Sequence, residues 1–398
     1  AHPARAASPD AADYFWLVGP SSSTVIMDKL QYVKENFAVW NRTAAAGEAR
    51  HLAMLLSERG PGDCFSNNEL VLGRYGKYPA DINPASPSRA WAILTHNGIA
   101  DLRATRSAPH TPGVMQLHAV AQRPITRCVN CFQRGKDIVL PFQPGTTDVP
   151  KCEDLKKLST FSTSQSHRQW PKRDIWFFYA GRIHPSLEHA RFLTYYEGIR
   201  SRHVRAEILA HVNEPGFLIF NSFNKSVTRI NSVEYMQRSR FCWVPPGQRY
   251  GDARRHILAV FVGCIPVVSI PDNTNTLDEL LPWHEFAVIV PPADVPRLPQ
   301  ILRTITPAEE ARMRAKLGCV WGRLWFSSVY GSCFGEDPAN DAFDGVLRVL
   351  AARLQTAHGD ERGRGAREGV MGAVAETRAK DPAMEACLAK MSMGRGPR

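Results

Sequence analysis

The sequence predicts an α/β protein built on parallel sheets, and three observations carry that reading. Continuous apolar runs of strand length recur at 175–180, 240–244, 264–269 and 286–290. Helical text separates several of them, at 253–262 and 277–281. Such alternation marks βαβ units, whose strands are covered on both faces and therefore read as unbroken hydrophobic runs. The third observation is a polar stretch, 146–173, rich in Lys, Ser, Thr, Gln and Pro, which reads as a linker from an earlier set of elements.

The chain opens on Ala/Pro/Ser-rich text and then an apolar strand at 14–18. Residues 27–37 and 44–56 carry apolar side chains at three- and four-residue intervals, so one or two helices are expected between 24 and 59. Residues 60–90 are rich in Gly, Pro, Asn and Ser and read as loop. A short buried strand at 91–95 stops at His96, Asn97 and Gly98. Ligands of open α/β sheets bind outside the carboxyl ends of strands, which makes His96 and Asn97 site candidates. Another strand, 137–141, follows a turn at Gly135, and helices are expected at 295–305, 307–317 and 342–354. Beyond about 357 the text turns Gly/Arg/Glu/Ala-rich and reads as a mostly disordered tail, in which 383–391 could form a short helix. The expected division is 1–165, 166–356 and a tail of 357–398.

Composition narrows the function. With 398 residues, 44% hydrophobic and 22% charged, the chain is too apolar for wholesale disorder, and no run approaches the ~20 apolar residues of a membrane-spanning helix. The formal charge of +11 suits an anionic ligand, whether nucleic acid, acidic polymer or phosphorylated small molecule. Nucleic acid is not expected, because no zinc-finger spacing or RRM-type aromatic motif is present. Nine scattered cysteines exclude a small disulfide scaffold, and their odd number leaves at least one thiol unpaired. Cys128-x-x-Cys131 has metal or redox spacing but lacks a second pair, so buried or disulfide-bonded cysteines are the reading preferred and no metal is expected. The sequons Asn41-Arg-Thr43 and Asn224-Lys-Ser226 are compatible with a secretory route.

The densest chemical signal is Phe241-Cys-Trp-Val-Pro-Pro-Gly247, followed by Gln-Arg-Tyr-Gly-Asp252, Ala-Arg-Arg255 and Gly263-Cys-Ile-Pro-Val267. A strand running into a Pro/Gly turn and then a helix points free N–H groups at the turn, and Arg254 and Arg255 can add forked, permanently charged donors for a diphosphate. The bland alternative is that these arginines only solvate a helix end.

This block resembles the C-terminal half of the exostosin-like glycosyltransferases, whose signature runs F-C-L-x-P-x-G, S-x-R, G-C-I-P-V. Further matches follow in order: Ala11-Ala-Asp-Tyr-Phe-Trp-Leu-Val18, Thr95-His96-Asn97, Cys131-Phe-Gln-Arg-Gly-Lys-Asp-Ile-Val-Leu-Pro141, Trp176-Phe-Phe-Tyr-Ala-Gly-Arg182 and Trp283-His-Glu-Phe-Ala-Val288. The resemblance spans about residues 10 to 350. It implies a GT-B fold, two Rossmann-like domains facing a cleft, with an N-terminal domain that lacks its usual opening strand. It implies an inverting transferase that moves a sugar from a UDP-sugar to a polysaccharide or glycoprotein glycan. That enzyme would work in the Golgi lumen, as a type II membrane protein anchored through a segment outside this chain, alone or as a homo- or hetero-oligomer.

The resemblance places Gly181 and Arg182 at the donor phosphates, and Pro246, Gly247, Tyr250, Gly251 and Asp252 in the donor loop. It sets Arg254 and Arg255 on the diphosphate, Asp272 near a sugar hydroxyl, and His96 with Asn97 on the acceptor side. No Asp-x-Asp occurs, as expected of an enzyme that uses cationic side chains and no metal or other cofactor. Departures stand beside the matches. The serine of S-x-R falls on Ala253 or Asp252, the acid three places after the arginine is Leu258 or Ile257, and another acid is Pro292. A catalytically silent glycan-binding homologue is therefore the second reading.

Overall fold

The computed structural model describes residues 6–8, 11–17, 23–45, 49–55, 79, 82, 91–95, 98–99, 132, 135–141, 172–181, 183, 205, 207–222, 230–245, 255–269, 273–361 and 378–392. It is a mixed α/β structure with parallel sheets, as the sequence predicts. It divides into two compact units, one of residues 1–140 with 272–276 and the other of 141–271 with 277–398.

In the first unit, β1 (Phe15–Leu17), β2 (His51–Leu55), β3 (Trp91–Thr95) and β5 (Ile138–Val139) form a sheet in the order β1-β2-β3-β5. Every described pair is parallel. Helices α1 (Ser23–Asn36) and α2 (Ala38–Ala45) bury Ile26, Met27, Leu30 and Trp40 against Ala53, Trp91 and Ile93. The buried Asp137 carboxylate accepts from the Ile93 N–H at 2.9 Å and lies 3.5 Å from Lys136, so a charge inside the sheet is hydrogen-bonded and paired. β4 (Gly98–Ile99) pairs antiparallel with β10 (Asn273–Thr274).

The helix expected over 44–56 is corrected: α2 ends at Ala45 and residues 51–55 form β2. His51-Leu-Ala-Met-Leu55 has good helix propensity, but the segment lies between β1 and β3, and pairing on both sides overrides propensity.

The second unit is built on five parallel strands in the order β11-β9-β8-β6-β7. They are β6 (Ile175–Gly181), β7 (Phe217–Asn221), β8 (Ser239–Val244), β9 (Ile265–Val268) and β11 (Val288–Ile289). Helices α3 (Ser232–Gln237) and α4 (Arg255–Phe261) supply Met236 and Ala259 to a core with Phe178, Cys242 and Cys264. Arg173 anchors the entry to β6 by donating to the carbonyls of Met236, Ser239 and Val262.

After β9 come α5 (Trp283–Phe286), α6 (Leu298–Thr304), α7 (Pro307–Val320), α8 (Ser327–Tyr330), α9 (Ala342–Glu361) and α10 (Pro382–Ser392). α7 opens on a capping box, in which Thr306 accepts from the Glu309 N–H while the Glu309 carboxylate accepts from the Thr306 N–H. The short helix expected at 277–281 is a turn instead. Leu277 has a positive φ of 46°, outside the helical range, and the N–H groups of Leu280 and Leu281 both close on its carbonyl.

The tail is corrected in part: the short helix allowed for 383–391 is present as α10, but that segment is not disordered. α9 runs to Glu361, and residues 378–392 are packed against the second unit. Asp381 is fully buried and accepts from Arg323 Nε at 2.6 Å, while a disulfide joins Cys319 of α7 to Cys387 of α10. The anchor is non-local, which is why a text without apolar period still packs. Among the described residues no helix is long and apolar enough to cross a membrane.

Candidate functional site

The strand order locates the site. From β6 the chain steps to β7 on one side, then returns past β6 to β8 and moves on to β9 and β11 on the other. The direction of winding therefore reverses between β6 and β8. Connections leave the carboxyl ends of these two strands in opposite directions and open the crevice in which doubly wound sheets bind ligands.

Tyr179 and Gly181 stand at the carboxyl end of β6, two residues apart and thus on one face of the sheet. Gly181 has a steric purpose. A Cβ at this position would stand 2.4 Å from the Tyr179 hydroxyl oxygen and 2.8 Å from Arg255 Nη2. Glycine lets the phenol lie back over the strand end and lets Arg255 reach it from the start of α4. The Arg255 guanidinium carbon lies 5.3 Å from the Tyr179 ring centroid, and Nη2 donates to the Ala180 carbonyl at 3.1 Å. A permanently charged fork is thus held at the switch point by a ring face and one carbonyl.

Across the crevice, Trp243 of β8 meets Tyr179 edge to face with centroids 4.9 Å apart. Pairing of Phe177 with Phe241 in β6 and β8, and of Trp243 with Val267 in β8 and β9, sets Tyr179, Trp243 and Ser269 on the same face. Behind the sheet, the Cys242–Cys264 disulfide, with Cα atoms 5.8 Å apart, ties β8 to the approach of β9. It closes the chain segment that carries α4, and so restrains the helix that presents Arg255. Cys333 is disulfide-bonded too.

Of the residues singled out from the sequence, Gly181 and Arg255 are brought together here. His96, Asn97, Arg182, Pro246, Gly247, Tyr250, Gly251, Asp252, Arg254 and Asp272 lie outside the described residues, as does the Cys128-x-x-Cys131 pair. Sequence reading missed Tyr179, Trp243 and Ser269. In a continuous apolar strand each reads as packing, and only the inter-strand register aligns them. Among the described residues no cluster of three His, Cys, Asp or Glu side chains could hold a metal ion.

A doubly wound parallel sheet with a cation at its switch point is an α/β architecture whose ligands bind at that crevice. More narrowly, residues 128–305 match the exostosin GT47 domain. The chain is 27% identical over 259 residues to a rice (Oryza sativa subsp. japonica) protein named "Probable glucuronosyltransferase", covering 62% of this chain and 56% of that one. A second rice protein of that name is 36% identical over 123 residues, which cover 30% of this chain and 26% of it. An Arabidopsis thaliana protein named "Probable beta-1,4-xylosyltransferase" is 35% identical over 123 residues, which cover 30% of this chain and 28% of it. The chain thus spans little more than half of the first of these relatives.

Proposed function

We propose that the chain is an inverting glycosyltransferase that moves a sugar from a UDP-sugar to a polysaccharide or glycoprotein glycan. The observation that carries this reading is the Arg255 guanidinium held over Tyr179 and Gly181 at the switch point of the second unit. In inversion by single displacement, an acceptor oxygen attacks the anomeric carbon as the bond to the diphosphate breaks. Negative charge then grows on the leaving UDP, and a fixed cation stabilises it. Arg255 is assigned that role, and the family resemblance adds Arg182 and Arg254 as further diphosphate ligands and Pro246, Gly247, Tyr250, Gly251, Asp252 and Asp272 as donor-binding residues.

His96 or Asn97 is assigned to the acceptor side, where a base receives the hydroxyl proton. The net charge of +11 favours anionic substrates generally, and the disulfides favour an oxidising compartment such as the Golgi lumen. The donor requires no metal in this scheme.

The silent glycan-binding alternative has one observation in its favour. Ile257 is fully buried and Leu258 packs against the core, so no carboxylate stands where the family pattern carries one. A screen for UDP release from UDP-glucuronate, UDP-xylose, UDP-galactose, UDP-arabinose and UDP-N-acetylglucosamine with glycan acceptors tests the function. Acceptor-dependent release from any donor supports transfer, whereas nucleotide binding with no release from any of them supports the silent homologue.

A further inference from the structure

Three side chains at the carboxyl ends of β6, β8 and β9 carry polar atoms that are fully buried and have no hydrogen-bond partner among the described residues: Tyr179 Oη, Trp243 Nε1 and Ser269 Oγ. The residues are 1%, 1% and 0% exposed. The register sets all three on one sheet face, and Tyr179 lies directly under the Arg255 guanidinium. Buried polar groups are nearly always paired, because each one left unpaired forgoes its interaction with water without compensation. A row of three on neighbouring strands beside a cation is therefore an arrangement that calls for a ligand.

The chemistry of the row narrows that ligand. The indole N–H only donates, each hydroxyl can donate, and guanidinium only donates. An oxygen-rich anionic group satisfies all four at once. We propose that Tyr179, Trp243 and Ser269 form a donor row that, together with Arg255, binds such a group on the sugar donor. The group is either a phosphate of the nucleotide or the carboxylate of a uronic sugar. This rests on the donor-site reading above. Arg255 now covers the phenol and gives Nη2 to the Ala180 carbonyl. An anion that draws the guanidinium off that carbonyl uncovers the phenol at the near end of the row.

Removing one hydroxyl without changing shape tests this, because stability and binding then move differently. In Tyr179→Phe and Ser269→Ala of the full chain, loss of a buried group without a partner leaves the melting temperature of the protein alone unchanged or raised. Affinity for the donor falls about tenfold for each variant, the usual worth of one hydrogen bond to a charged group. Calorimetry with UDP, UMP, UDP-glucuronate and UDP-xylose reads the second effect. A loss seen with UDP assigns the row to phosphate, and a loss confined to UDP-glucuronate assigns it to the carboxylate. Wild-type binding with both variants unchanged in affinity, or both variants melting lower as they would if an ordered water bridged the row, overturns the proposal and leaves the donor site standing. Failure of the wild-type chain to bind any of the four overturns the donor-site reading itself.

Discussion

Arg255 lies across the face of Tyr179, its guanidinium carbon 5.3 Å from the ring centroid, and the two meet over a glycine that has no room for a side chain. β6 brings the ring, α4 brings the charge, and Gly181 makes their approach possible. This contact turns a helix-end arginine into a cation fixed at the sheet's switch point.

Gly181→Ala tests the contact. Its methyl would clash with the Tyr179 hydroxyl and with Arg255 Nη2, at 2.4 and 2.8 Å. The flexible guanidinium can move aside, while the phenol is packed against Trp243. Overpacking of this kind costs about 1–3 kcal/mol. Urea unfolding should show that loss, and calorimetry should show weaker UDP binding through the displaced Arg255.

The docking of α10 depends on Arg323 and Asp381, which are 4% and 0% exposed. Arg323 also donates to Asp344 at 2.7 Å. Removing one partner of a buried pair costs about 3–5 kcal/mol. Because Asp344 continues to hold the guanidinium, Asp381→Ala should fall at the low end of that range, read as a lowered urea midpoint.

Cys319 and Cys387 are 68 residues apart in sequence, so their bond restricts a long loop of the unfolded chain. Cys387→Ser should cost about 2–4 kcal/mol. Limited proteolysis should then cut within residues 362–392 faster than in the parent chain.

Glu310 predicts an acid limb of stability. Burial pushes its carboxyl up, but hydrogen bonds from Arg240 and Arg314 outweigh burial and hold it below the ordinary value of 4.5. A group whose pKa is depressed by folding stabilises the fold fully above its unfolded pKa, and that stabilisation is lost as pH falls through the folded value. Melting temperature should therefore fall with pH below about 4.5, and Glu310→Gln should flatten that limb while lowering stability at neutral pH.

The parallel-sheet class and the central strands of the second unit were legible because buried strands write unbroken apolar runs. β3 at Trp91–Thr95 was legible for a local reason, a short apolar run ended by His96, Asn97 and Gly98, and the helix expected from 307 is α7, which the structure shows to open on a capping box. β2 was not, because His51–Leu55 owes its conformation to strands on both sides. α10 owes its place to Arg323, 58 residues from Asp381, and to a distant cysteine. At the site, Gly181 and Arg255 stood out as motif residues, whereas Tyr179, Trp243 and Ser269 are aligned by register alone.

The central claim is that Arg255 binds the diphosphate of a nucleotide donor. Titrating UDP into the wild-type chain and into Arg255→Ala by calorimetry tests it most directly. The account predicts that the wild-type chain binds and that the variant binds about 1.5–3 kcal/mol more weakly, the worth of a charge-assisted hydrogen bond. No binding by the wild-type chain at millimolar UDP, or an unchanged dissociation constant in Arg255→Ala, would contradict it.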